Sequence, residues 1–267
     1  MNISQLSRTA ILTLIARVVA SEKENAVFND PMAALCLERL ISIASAEEKN
    51  WIISRKRFYV GISAHDAKAG ARRAKVFDDT ANRFITTNPQ CTVINLACGF
   101  DTRFWRIANE NCRYVEIDLP EVVALKREIL KDQLGYELIG CSVLDASWID
   151  QVTANGNSRF LLLAEGLFMF LPKPDATQLF QQLAQRFDRS QLVLDMVPEK
   201  YTKGLWKKLL GLEIKFNWDL DVSDVSWVFG IKHPRDIESY GPGLRVLGDV
   251  KGSAGPIITV SINAAYR

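Results

Sequence analysis

Apolar residues recur at helical spacing near the start of the chain and in short runs after residue 90, and this change of period organises the whole sequence. Ile11, Leu14, Ile15, Val18 and Val19 fall three and four apart and predict an amphipathic first helix. Asn29-Asp30-Pro31 predicts the start of a second: the aspartate can accept from the first free N–H groups, and proline suits the first helical position. That helix should run over 31–45. Residues 49–88 read as helical with several basic positions, ending near Pro89. Strands are then expected at 92–96, 114–117, 137–140, 159–164 and 191–197, with helices at 120–133 and 174–187 between them. A shorter helix-like stretch, 104–108, follows the first strand. Short strands alternating with helices predict an α/β fold with a parallel, doubly wound, Rossmann-like sheet.

The tail has a different pattern. Residues 201–227 are rich in tryptophan, lysine and aspartate without a clean period, and they follow the fifth strand. Residues 243–249 and 256–263 read as an antiparallel hairpin joined by the glycine-bearing stretch 251–255. One domain is expected, comprising a helical cap (1–88), a cofactor-binding core (89–198), a lid insertion (199–233) and closing strands (234–267).

Candidate chemistry gathers in the turn after the first strand, Ala97-Cys98-Gly99-Phe100-Asp101-Thr102. Small residues there let a ligand approach the backbone, and Gly99 takes backbone angles that other residues resist. Asp118 ends the second strand, 19 positions after Gly99, close to the roughly 20-residue spacing at which an acid reaches ribose hydroxyls. An adenosine-bearing cofactor is therefore expected. A dinucleotide site wants three glycines to seat a pyrophosphate on a helix N-terminus, and here the first and third are missing. Asp101 also puts negative charge where phosphates would sit. That favours S-adenosyl-L-methionine (AdoMet), which has no phosphate and carries a sulfonium and an ammonium, and leaves NAD as the alternative. Asp101 has a second reading as a helix cap, and Asp118 one as the cap of the helix at Pro120.

Three strings, Asn95–Arg106, Val115–Val122 and Leu163–Pro172, resemble the leucine carboxyl methyltransferase family, which includes polyketide-type O-methyltransferases. Phe28-Asn29-Asp30-Pro31-Met32-Ala33 and the stretch 73–79 are similar to blocks of the same family. The resemblance spans roughly residues 5–200. It implies a class I methyltransferase fold, whose closing hairpin matches the tail, and AdoMet as cofactor. It further implies that Glu165 contacts the methionyl part, its other reading being a carboxylate paired with a nearby arginine or capping the next helix, and that Arg73 holds the cofactor carboxylate, a contact suited to a guanidinium; the adjacent Arg72 is the alternative. Arg17 on the first helix is a further candidate for the same pocket. Ala97 stands where the family commonly has glycine. Ser142-Val143 replaces the usual Asp-Leu after the third strand, where adenine contacts fall, and Leu119 flanks Asp118.

Composition narrows the remaining classes. Hydrophobic residues make up 48% and charged residues 24%, as in ordinary globular chains. The formal net charge of +2 selects no anionic partner, and the basic positions Arg55, Lys56, Arg57, Lys68, Arg72 and Lys75 read as a solvated helix face, so nucleic acid is not expected. Five scattered cysteines without CxxC spacing predict neither zinc nor a disulfide framework and fit a cytoplasmic setting. The apolar stretch 10–20, interrupted by Arg17, is too short to span a bilayer and reads as no signal peptide. His65 and His233 are the only histidines available as a general base for a hydroxyl acceptor; a carboxylate acceptor needs none. Trp206, Phe216, Trp218, Trp227 and Phe229 are candidates for the wall of an acceptor pocket. The expected activity is O-methylation of a small molecule, with a non-catalytic AdoMet-binding protein or an NAD-dependent oxidoreductase as alternatives. Oligomeric state is open.

Overall fold

The computed structural model describes residues 5–23, 26–61, 64–107, 109–154, 156, 159–213, 226–252 and 254–266. Five strands, β1 (Cys91–Leu96), β2 (Cys112–Asp118), β3 (Glu137–Gly140), β4 (Phe160–Ala164) and β5 (Ser190–Asp195), pair in parallel. A hairpin of β6 (Leu244–Lys251) and β7 (Pro256–Ile262) adds to β5 through antiparallel β7, giving the order β3-β2-β1-β4-β5-β7-β6. β1 and β4 are neighbours, and the sequence-consecutive strands run away from them on either side. Ligands of such sheets bind at this reversal, beyond the carboxyl ends of the strands.

Burial on both faces explains why the central strands read as unbroken apolar runs; every residue of β1 and β4 is buried. Ile94, Leu96, Leu162, Leu192 and Leu194 pack to one side, against α6 (Ser147–Thr153) and α7 (Lys173–Arg186). Val93, Leu161, Leu163 and Val193 pack to the other, against Phe77, Ala81 and Phe84 of α4 (Ala64–Thr87). Each fully buried large side chain contributes about 1.5–3 kcal/mol by leaving water. A separate apolar cluster joins α1 (Gln5–Ser21), α2 (Pro31–Ile43) and α3 (Ala46–Gly61) to Phe100 and to Leu125, Ile129 and Leu130 of α5 (Pro120–Leu130). This cluster sets the helical cap directly on the turn that follows β1. Asp30 starts α2 as expected, its Oδ1 accepting from the Ala33 N–H at 3.0 Å.

Three expectations change. Residues 49–88 form two helices, because Gly61 ends α3 and glycine costs a helix interior about 1 kcal/mol. In the described part of the stretch 104–108 there is one 3₁₀ turn, Arg103–Trp105, closed by bonds from the Trp105 N–H to the Thr102 carbonyl and from the Arg106 N–H to the Arg103 carbonyl. Its arginines are held inward and Phe104 packs on Tyr114 and Tyr136, so the segment has no free face to extend as a helix. The aperiodic stretch after β5 contains α8 (Gly204–Glu213), which leaves Leu205, Trp206, Leu209 and Leu212 exposed. Of the expected pocket-wall aromatics, Phe229 is buried, Trp227 is partly buried and Trp206 is exposed, while Phe216 and Trp218 lie outside the described residues. No described helix is long and apolar enough to cross a membrane.

Candidate cofactor site

The turn after β1 is built on two left-handed residues, Ala97 at φ +51° and Gly99 at φ +50°. At Ala97 that conformation costs about 1–2 kcal/mol, which glycine would avoid. Gly99 is crowded as well as left-handed: a Cβ there would stand 2.9 Å from the Cβ of Ala10 on α1. Its N–H donates to Asp118 Oδ2 at 2.6 Å, and the Leu119 N–H donates to Oδ1 at 2.7 Å. Leu119, not Asp118, occupies the cap position of α5. Burial pushes the Asp118 carboxyl above the ordinary aspartate range, against the pull of those two N–H donors and of Lys126. Beside it, the Cys141 N–H donates to the Asp118 carbonyl at 2.9 Å, which brings in the turn after β3. Ser142 Oγ accepts there from the Leu144 N–H at 3.2 Å. Val143 is buried, and its carbonyl accepts from Nε1 of the buried Trp148 at 3.1 Å.

Beyond β4 and β5 the chemistry changes to ion pairs. Arg73, on α4, donates from Nε to Glu165 Oε1 at 2.8 Å and from Nη1 to Asp195 Oδ2 at 3.3 Å. Arg72, the alternative, is exposed. Arg103 is fully buried and spends each guanidinium nitrogen on a different acid: Nε on Asp78 (2.7 Å), Nη1 on Asp101 (2.7 Å) and Nη2 on Glu165 (2.6 Å). Arg106 continues the network to Asp30 (2.6 Å), Asp78 (2.7 Å) and Asp101 (3.3 Å). Arg17 Nη2 donates to the Phe100 carbonyl at 2.7 Å, which places the first helix against the same turn. Lys126 Nζ donates to Glu116 at 2.6 Å and to the Asp101 carbonyl at 2.7 Å. Burial opposes ionisation of Glu165 and Asp101, but paired guanidinium groups overcome it and hold both carboxyls below their ordinary range.

Ala97, Gly99, Asp118, Leu119, Ser142 and Val143 thus gather at the ends of β1, β2 and β3, while Arg73, from within α4, meets Glu165 at the end of β4. Asp101 has its oxygens committed to Asn95, Arg103 and Arg106. It also accepts from the Arg103 N–H at 3.0 Å, a local turn bond two residues on, while Thr102 and not Asp101 occupies the cap position of the 3₁₀ turn. The sequence reading missed Asp78, Arg103, Arg106 and Asp195. The signal available was two arginines three apart in a segment that follows directly on the buried switch-point strand. His233 is exposed, and the side chain of His65 lies outside the described residues. Among the described residues no group of three or more His, Cys, Asp or Glu is placed to hold a metal ion.

The family model for leucine carboxyl methyltransferase matches residues 10–184, from the first helix to the end of α7. The chain belongs to the leucine carboxyl methyltransferase family. It is 27% identical over 238 residues to the tetracenomycin polyketide synthesis O-methyltransferase TcmP of Streptomyces glaucescens, covering 89% of this chain and 79% of that one. It is 25% identical over 252 residues to the S-adenosyl-L-methionine-dependent methyltransferase dpfgK of Gibberella zeae, with the same two coverages, 89% and 79%. A crystal structure of magnesium protoporphyrin IX methyltransferase from Synechocystis PCC 6803 shares the fold, with a TM-score of 0.51 at 15% identity over 87% of this chain and 99% of that one. The chain is an AdoMet-dependent methyltransferase, the cofactor class that the sequence reading favoured over NAD; the charge of Asp101, on which part of that reading rested, is compensated by Arg103 and Arg106.

Proposed function

We propose that the chain transfers the AdoMet methyl group to an oxygen of a small-molecule acceptor, with a carboxylate preferred over a hydroxyl. The observation that carries the cofactor side of this reading is the division of the strand ends. A carboxylate on backbone donors stands at β2, where ribose hydroxyls need acceptors, and an acid–guanidinium pair stands at β4, where an amino-acid zwitterion needs both signs. Asp118 takes the ribose. Ala97 and Gly99 keep the backbone clear beneath the adenosine, and Leu119, Ser142 and Val143 line the adenine side. Glu165 and Arg73 take the methionyl ammonium and carboxylate. Asp101 contributes indirectly, by holding Arg103 and Arg106. When bound, AdoMet supplies a methyl on sulfonium sulfur, and in a direct displacement the acceptor oxygen gains the C–O bond while the sulfur keeps the C–S electron pair.

The acceptor side is proposed to lie past β5, as part of the expected lid at 199–233; residues 214–225 of that range lie outside the described residues. An open cavity of about 560 Å³ lies there, lined by Pro198, Ile231, Leu205 and Trp206 and by Lys200, Lys203, Lys232 and Glu199. Three lysines against one glutamate favour an anionic acceptor with an apolar body, and Lys200 stacks 5.4 Å from the Trp206 ring. The returning chain is pinned beside it, the Val228 N–H donating to the Met169 carbonyl (2.9 Å) and the Ile231 N–H to that of Val197 (3.0 Å). A carboxylate is ionised at neutral pH and needs only alignment and exclusion of water. Calorimetry should show one site for AdoMet and for its demethylated product, S-adenosylhomocysteine, and none for NAD. Mass spectrometry and NMR of the product from a panel of carboxylic and phenolic acceptors identify the methylated atom. Tight NAD binding, or methyl transfer to nitrogen alone, contradicts the proposal.

A further inference from the structure

Arg73 and Glu165 bond to each other, yet each also has a partner of opposite charge outside the pair. Glu165 has Arg103 at 2.6 Å. Arg73 has Asp195, which the sequence reading assigned no role. Asp195 ends β5, is buried, and divides its two oxygens: Oδ2 accepts from Arg73 Nη1 at 3.3 Å and Oδ1 from the Gly166 N–H at 2.6 Å. Gly166 is the residue after Glu165, sits at φ +70°, and lies about one van der Waals contact from Arg73, at 4.0 Å from a notional Cβ to Nη2. Asp195 therefore grips the cation directly and the acid through the backbone of its neighbour.

Resting on the AdoMet reading above, we propose that Asp195 is a positioning residue for the amino-acid end of the cofactor. A zwitterion that engages both Glu165 and Arg73 competes with the bond between them. With Asp195 in place, Arg73 keeps a charge partner and a set direction when Glu165 turns to an ammonium. With Arg103 in place, Glu165 stays compensated in turn. Neither member of the pair is left as an isolated buried charge, a condition that otherwise costs the full desolvation of the group. The same grip holds the β4 turn at the register that presents Glu165, so β5 serves the cofactor although it contributes no ligand of its own.

The test uses two ligands that differ only in the amino-acid end, S-adenosylhomocysteine and 5′-methylthioadenosine, with the full chain and calorimetry. Asp195→Asn keeps an oxygen for the Gly166 N–H and removes the charge facing Arg73. It should weaken S-adenosylhomocysteine about tenfold, the scale of a lost charge-assisted bond, and leave methylthioadenosine within about twofold. In an Arg73→Gln background the same substitution should change S-adenosylhomocysteine by less than about twofold, since the cation it serves is gone. Asp195→Ser, which keeps a hydroxyl for Gly166, provides the same comparison if the amide variant does not fold. Equal weakening of both ligands would make Asp195 a structural residue only, and unchanged affinity for both would remove its role; either result overturns the inference. Failure of the unsubstituted chain to bind either ligand is a different result, which rejects the AdoMet reading itself.

Discussion

The two ends of the candidate cofactor site hold their carboxylates by opposite means. At β2, Asp118 rests on two backbone N–H groups and, among the described residues, meets no guanidinium. At β4, Glu165 lies between the guanidinium groups of Arg73 and Arg103. Asp195 falls between these cases with one guanidinium, and Asp101 matches Glu165 with two. Burial pushes up the carboxyls of Asp118 and Asp195, whereas Glu165 and Asp101 are lowered. At Glu165 and Asp101 the paired guanidinium groups outweigh burial, and at Asp118 and Asp195 the donors present do not. The neutral hydroxyls of a ribose need an acceptor in a set place, which rigid backbone donors provide. A zwitterion needs charges of both signs, and those persist in a buried site only inside a network that compensates them.

The largest effect should come from cutting that network at its centre. Arg103→Met leaves Asp78, Asp101 and Glu165 each short of a buried partner and should destabilise the fold by about 3–5 kcal/mol, measured by urea denaturation. The half-exposed pair of Arg113 and Glu137 is the control, since Arg113→Met should cost under about 1 kcal/mol. Similar losses for the two would show that the buried network is no more than a set of surface pairs. Next comes the ribose end: Asp118→Ala should weaken AdoMet and methylthioadenosine alike by roughly 1.5–3 kcal/mol while the fold survives. That equality contrasts with the ligand split expected at Asp195. An unchanged affinity in a folded Asp118→Ala chain would reduce Asp118 to a fold residue.

Acid should separate binding from folding without mutation. Glu165 and Asp101 have folded pKa values below their unfolded ones, so their stabilisation is complete above the unfolded values, near about 4, and is lost as pH falls through the lowered ones. Asp118 has the opposite sign. Between the ordinary aspartate value and its raised one the folded chain holds a proton that the unfolded chain has released, so its ionisation costs stability as pH rises through that window. Asp195 has the same sign as Asp118, so AdoMet binding that needs both ionised should weaken, as pH falls, before the chain unfolds. Calorimetry and circular dichroism over the same pH series should give an acid limb for AdoMet at higher pH than the limb for unfolding; coincident limbs would place the control elsewhere. The smallest expected effect is Ala97→Gly, which relieves a left-handed alanine and should stabilise the fold by about 0.5–1 kcal/mol in the same denaturation assay.

The central strands were legible because burial on both faces leaves only apolar residues in them, as in the run from Phe160 to Ala164. Gly99, Asp118 and Glu165 were legible because each ends such a run, where sheets of this kind place ligands. The ion network was not. Asp30, Asp78, Arg103 and Asp195 come from four separate elements, and each alone reads as a cap or a solvated charge. The spacing of Arg103 and Arg106 fits a helix face as well as it fits a buried turn. Only the packing of α4 and the cap against the sheet tells the two apart. The short helix α6 went unread because seven residues give little periodicity, although Trp148, Ile149 and Val152 are all buried.

The 2.9 Å approach between Ala10 and a notional methyl on Gly99 has a consequence for how such a chain can diverge. Position 10 is free to shrink to glycine at the ordinary helix cost, and nothing at position 99 need respond. The reverse path is closed: a methyl gained at 99 collides unless one has already been given up at 10, and the left-handed backbone penalty remains afterwards. Drift at these two sites is therefore ordered in time as well as coupled, with the cap helix yielding first and the cofactor turn able to follow only at a loss.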